Sequence, residues 1–141
     1  MFFTEEEQSR IVLAIKEAEK NTSGEIKIHI ASPAEQEDVV KQAASVFEKL
    51  DIKNTKQRNG VLIYIAQNQR TFAIWADKGI NDVVPAGYWE STIDLMRGYM
   101  KTGEYAEGII KGIFMIGEKL KHYFPIEKDD VNELSDDISF G

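Results

Sequence analysis

The chain has 141 residues, 43% of them hydrophobic and 29% charged, with three prolines and ten glycines, which is the make-up of one globular domain at about 150 residues per domain. Seventeen basic against 24 acidic side chains leave a formal charge of −7, so the basic footprint that nucleic acids or anionic membrane surfaces require is missing, and cations or proteins are the expected partners. The absence of cysteine excludes disulfides, thiolate nucleophiles, iron–sulfur clusters and Cys-type zinc sites.

The first seven residues turn acidic where a secretory signal would be basic and then apolar. No apolar run approaches the roughly 18 residues of a membrane span, so a cytoplasmic protein without a membrane partner is expected. Thr4 and Glu7 match a capping box, and Ile11, Ala14, Ile15 and Ala18 recur at helical spacing, predicting a helix over 5–20. From Glu25 the period changes to two. Ile26, Ile28 and Ile30 share one face and Glu25, Lys27 and His29 the other, the pattern of a half-covered strand closed by Ser32-Pro33.

Helical spacing returns over 35–50 through Val39, Ala43, Val46, Phe47 and Leu50. After a polar loop, residues 60–66 are a continuous apolar run of strand length, and 71–76 are a second. Joined by the short turn 67–70, they predict a hairpin whose strands are covered on both faces. Trp89, Ile93, Met96 and Met100 mark a helix over 86–100, read as helix-to-sheet core and closed by Gly103. A last helix over 104–123 contains Gly108, Gly112 and Gly117, which cost helix propensity and imply close approach to a neighbouring element. Pro125 stops it. Beyond it, Glu127, Asp129, Asp130, Glu133, Asp136 and Asp137 read as a loose acidic tail, giving a single domain over 1–125 and a tail over 126–141.

Strand–helix–strand followed by a hairpin implies a right-handed parallel crossover and a small mixed sheet with helices on both faces. The expected fold class is therefore a three-layer α/β/α sandwich. The chain contains no phosphate loop, GxGxxG, GxSxG or HExxH pattern and no EF-hand spacing, which leaves a chemistry of carboxylates, amides and a few cations.

The topology itself predicts a site. If the first two strands are parallel and the third antiparallel, the end of the third lies beside the starts of the first two, gathering Glu25, Arg58, Asn59, Asp77 and Lys78. Oxygen ligands such as Glu25, Asp77, the Asn59 amide and Asp82 from the following loop suit a hard cation, Ca²⁺ or Mg²⁺. The competing reading is that Glu25 and Asp77 pair with Arg58 and Lys78 in a strand-end ion-pair network, or cap loop amides. His29, on the polar face, is read as a partly exposed neighbour of Lys27 rather than a catalytic base.

Several blocks together resemble the TPM domain family, also called TPM phosphatase domains. They are Ser23-Gly24-Glu25-Ile26, residues 58–65, Arg70, Ile74-Trp75-Ala76-Asp77-Lys78-Gly79-Ile80, Trp89, residues 103–109, His122-Tyr123-Phe124-Pro125 and residues 132–137. The resemblance implies the same sandwich and a divalent-cation site. It also implies a divided functional picture, with lumenal relatives described as acid phosphatases tied to photosystem II repair and others as binding or chaperone-like domains. Many relatives carry a signal peptide and a membrane anchor, so this chain resembles the free-standing cytosolic bacterial branch. Where secreted members read Gly-Tyr-Gly after the third strand, this sequence has Asp77-Lys78-Gly79.

Three functions are thus expected in order. The first is a domain that binds a divalent cation through Glu25, Asn59, Asp77 and Asp82, stabilising or regulatory. The second is a metal-assisted phosphomonoesterase with Arg58 and Lys78 as the candidate phosphate clamp. The third is a chaperone-like or adaptor module that meets a client protein through Tyr88, Trp89 and Phe124.

Overall fold

Alternating and continuous runs of isoleucine, valine and leucine build the middle layer of the molecule. The computed structural model describes residues 3–31, 38–67, 70–126 and 136–140. In chain order these form α1 (Glu5–Glu19), β1 (Glu25–Ile30), α2 (Val39–Lys49), a 3-10 turn (Ile52–Asn54), β2 (Gly60–Ala66), β3 (Thr71–Ala76), α3 (Lys78–Asn81), α4 (Tyr88–Lys101), α5 (Tyr105–Tyr123) and β4 (Ser139–Phe140). The sheet order is β3-β2-β1-β4. β1 runs parallel to β2, with Glu25 opposite Gly60 and His29 opposite Tyr64, and β2 and β3 form the antiparallel hairpin.

Side chains alternate across a strand, so each face of the sheet acquires its own core. Ile26, Ile28 and Ile30 of β1 and Val61, Ile63 and Ile65 of β2 pack with α1, α4 and α5 through Ile15, Met96, Ile109 and Ile113. Leu62, Tyr64 and Ala66 face the other way, onto Ala43, Val46 and Phe47 of α2 and Ile52 of the 3-10 turn. Helices on both faces complete the three-layer α/β/α sandwich. Each fully buried isoleucine contributes about 1.5–3 kcal/mol, which makes the first face the main source of stability.

Local chemistry starts α1 where the sequence reading placed it. Thr4 Oγ1 accepts from the Glu7 N–H while Glu7 Oε1 accepts from the Thr4 N–H, a complete capping box. The α5 glycines serve close approach: a Cβ at Gly112 would stand 2.5 Å from the Met96 sulfur, and one at Gly117 2.8 Å from Ala18 Cβ.

Four expectations are corrected. β3 is an edge strand, so it is only partly covered, and Trp75 is exposed. Residues 78–81, read as loop, form a helical turn capped by Asp77. The end of the acidic tail is ordered, with Ser139 opposite His29 and Phe140 opposite Ile30 in a parallel pair. That pairing makes β1 an interior strand, so its polar face is covered: Glu25 and His29 are buried and Lys27 half-buried. His29 stacks on Tyr64 at 5.6 Å between ring centroids, with Nδ1 3.0 Å from Ser139 Oγ. The expected strand end at Ser32-Pro33, the helix start at 35, the turn residues 68–69 and the tail over 127–135 lie outside the described residues.

Candidate metal centre

Backbone hydrogen bonds draw the predicted site residues to one end of the sheet. The Glu25 N–H donates to the Asn59 carbonyl (3.4 Å), the Asp77 N–H to the Gly60 carbonyl (2.9 Å) and the Gly79 N–H to the Arg58 carbonyl (2.8 Å). The last contact is why residue 79 is glycine: a Cβ there would lie 2.2 Å from the Gln57 carbonyl oxygen. The side chains then divide into two groups.

Asp77 and Arg58 form the first. Arg58 Nε donates to Asp77 Oδ2 at 2.6 Å and Nη2 to Oδ1 at 2.8 Å, the bidentate fork that matches guanidinium to carboxylate. Asp77 Oδ1 also accepts from the Lys78 N–H at 2.8 Å, capping α3. The pair raises the Arg58 pKa, chiefly through the hydrogen bond to Asp77. Lys78 is exposed, and Asp82 is exposed at the C-terminal end of α3. The Arg58–Asp77 half of the predicted ion-pair network is therefore present.

Glu25 belongs to the second group, with Glu19 and Asp136. One carboxylate oxygen from each lies within 4.8 Å of the others. Glu19 comes from the last turn of α1, Glu25 opens β1, and Asp136 precedes β4. The Ile26 N–H holds Glu19 Oε2 at 2.7 Å. The Glu19 pKa is pushed up to about 10, first by burial, then by its hydrogen bond to Asp136, with the charges of Glu25 and Asp136 adding to the shift and the Ile26 amide opposing it. A proton thus sits among these carboxylates at neutral pH. Asp136 Oδ1 is buried and has no hydrogen-bond partner among the described residues. Lys27 lies close by, its Nζ 3.0 Å from the Asp137 carbonyl, and its pKa is lowered by burial against the pull of Asp137, Asp136 and Glu19.

Asn59 adjoins Glu25 through the backbone. It is buried, its Nδ2 donates to Ser23 Oγ at 3.4 Å, and its Oδ1 has no partner among the described residues. Of the four residues predicted as ligands, Glu25 is in the carboxylate cluster and Asn59 is next to it in the chain pairing. Asp77 is engaged by Arg58, and Asp82 stands on the surface.

Sequence reasoning missed Glu19 and Asp136. A signal for Glu19 was present: an acid in the last turn of a helix opposes the helix dipole, which favours cations there. Asp136 offered none, because it was one of many acids in a polar segment. Tyr88, Trp89 and Phe124, expected to be exposed, are half-buried. The Tyr88 hydroxyl donates to the Met115 carbonyl, Trp89 Nε1 to Asn81 Oδ1, and Trp89 and Phe124 pack against the main core.

Comparison with known proteins places this arrangement. The family model described as the TPM domain matches residues 1–119. The BA42 protein of the psychrophilic bacterium Bizionia argentinensis, solved by NMR, is 46% identical, with a TM-score of 0.92 over 100% of this chain and 97% of that one. The N-terminal domain of a protein from P. gingivalis, solved by NMR, shares 18% identity and a TM-score of 0.71, over 87% of this chain and 79% of that one. An N-terminal domain from Corynebacterium glutamicum shares 10% identity and a TM-score of 0.65, over 84% and 74%. The last two show likeness of fold alone. The search of curated proteins gave no match. No helix among the described residues is long and apolar enough to cross a membrane.

Proposed function

The chain belongs to the TPM domain family, and from that premise we propose that it is a divalent-cation-binding domain whose ion, Ca²⁺ or Mg²⁺, is held by Glu19, Glu25 and Asp136. The observation that carries this reading is the convergence of three carboxylates from three separate segments within 4.8 Å. Like charges brought this close need a proton or a cation between them. Carboxylate oxygens are the ligands that hard cations prefer, and Asp136 Oδ1 is buried without a hydrogen-bond partner among the described residues.

The role of the ion is structural or regulatory. It would tie the end of α1 and the start of β1 to the segment leading into β4, replacing the proton on Glu19. With the guanidinium of Arg58 engaged by Asp77, this reading is preferred to the phosphomonoesterase alternative, in which Arg58 would clamp a phosphate.

Thermal unfolding of EDTA-treated protein, with and without millimolar Ca²⁺ or Mg²⁺, tests the proposal. The expected result is a higher Tm with the ion in the wild type and no ion-dependent change in Glu25→Gln. An equal response in both proteins would overturn it.

A further inference from the structure

At the opposite end of the sheet the charge pattern reverses. The start of β3, the last turn of α4 and the first residue of α5 enclose a depression of about 250 Å³. Its lining carries three cations, Arg70, Arg97 and Lys101, and no carboxylate. In a chain with seven more acids than bases, that grouping is unexpected on charge alone. None of the three forms an ion pair among the described residues. The acids nearest in sequence, Asp94 and Glu104, do not line the depression, and the Glu104 carboxylate accepts instead from the Thr102 hydroxyl.

The arrangement opposes local stability. Arg97 and Lys101 stand four residues apart on one helix face, where like charges repel. Lys101 alone has a structural reason to be there, since it complements the dipole at the end of α4. Arg70 closes the hairpin turn with φ at +50°, a left-handed conformation that glycine or asparagine adopts more cheaply. Helix and hairpin chemistry therefore explain one of the three cations and leave two.

We infer that this depression is a binding site for a small organic phosphate. Guanidinium forks match phosphate oxygens, and three cations with no acid among them favour a dianion over a monocarboxylate. Met100 and Tyr105 supply apolar and aromatic surface for the organic part, beside the core residue Phe72. The volume suits a small molecule. Its lining offers no carboxylate to act as general base or metal ligand. It lies beyond the strand ends opposite Glu25 and is independent of the cation centre.

Two-dimensional amide NMR of the full chain, titrated separately with phenyl phosphate, inorganic phosphate and benzoate, tests this. Phenyl phosphate should give saturable shifts at residues 70–72 and 97–105. Inorganic phosphate should shift the same amides with weaker affinity, and benzoate should bind weakest. The exposed Arg97→Gln substitution should weaken phenyl phosphate binding about tenfold, the loss expected for one charge-assisted contact, without moving amides around Glu25. Arg70→Gln provides a second variant with the same expectation. Non-saturable shifts, binding unchanged in both variants, or benzoate binding as tightly as phenyl phosphate would overturn the inference.

Discussion

Glu25 and Asp77 lie at the same end of the sheet, both almost fully buried, yet their surroundings treat negative charge in opposite ways. Asp77 is met by a guanidinium fork and a helix amide, so its charge is balanced within the fold. Glu25 is met by two further carboxylates, and the cluster holds a proton on Glu19. The difference teaches that a buried acid does not by itself mark a cation site. What distinguishes the Glu25 group is three carboxylates brought within 4.8 Å of one another.

Removing Asp77 should have the largest effect on stability. Asp77→Ala leaves α3 without its cap and the partly exposed Arg58 without its carboxylate, and should lower the unfolding free energy by about 2–3 kcal/mol in urea denaturation. The change in Tm on adding Ca²⁺ should survive this substitution. If it disappears instead, the division between the two groups is wrong.

Gly79→Ala probes the backbone contact that holds the start of α3 against residues 57 and 58. The added methyl meets carbonyl oxygens of residues 57 and 58 that cannot move aside as a flexible side chain would. A loss of about 2 kcal/mol is expected by the same denaturation measurement. Glu25→Gln, by contrast, should weaken cation binding at least about tenfold in calorimetric titration, while leaving the Arg58–Asp77 pair intact.

The last effect appears as a slope in pH. Without the ion, the raised pKa of Glu19 means the folded state holds a proton that the unfolded chain releases near pH 4.5. That contribution to stability is complete below about pH 4.5 and is lost as pH rises towards about 10. Glu19→Gln should remove this component of the stability–pH curve. Since the ion must displace the proton, wild-type cation affinity should rise with pH, by up to about tenfold per unit.

Much of the fold was legible because its elements are long enough to show a period. Ile26, Ile28 and Ile30 announce β1, and the apolar run 60–66 announces β2. α3 and β4 were not legible, since four and two residues carry no period. Missing β4 had consequences for the site. Without a strand on its outer edge, β1 reads as half-covered, His29 as exposed and Asp136 as one acid in a loose tail. Strand direction correctly brought Glu25, Asn59 and Asp77 to one end, but direction alone cannot tell which carboxylate a neighbouring arginine will reach. That depended on the left-handed turn at Arg58, whose φ is +54°.

An amide NMR titration of EDTA-treated protein with Ca²⁺ and then Mg²⁺ discriminates most directly between the two carboxylate groups. Saturable shifts centred on residues 19, 25–26 and 136–139, with residues 77–82 unmoved, are the predicted result. Shifts centred on 77–82, or no saturable shift at all, would contradict a cation centre built on Glu19, Glu25 and Asp136.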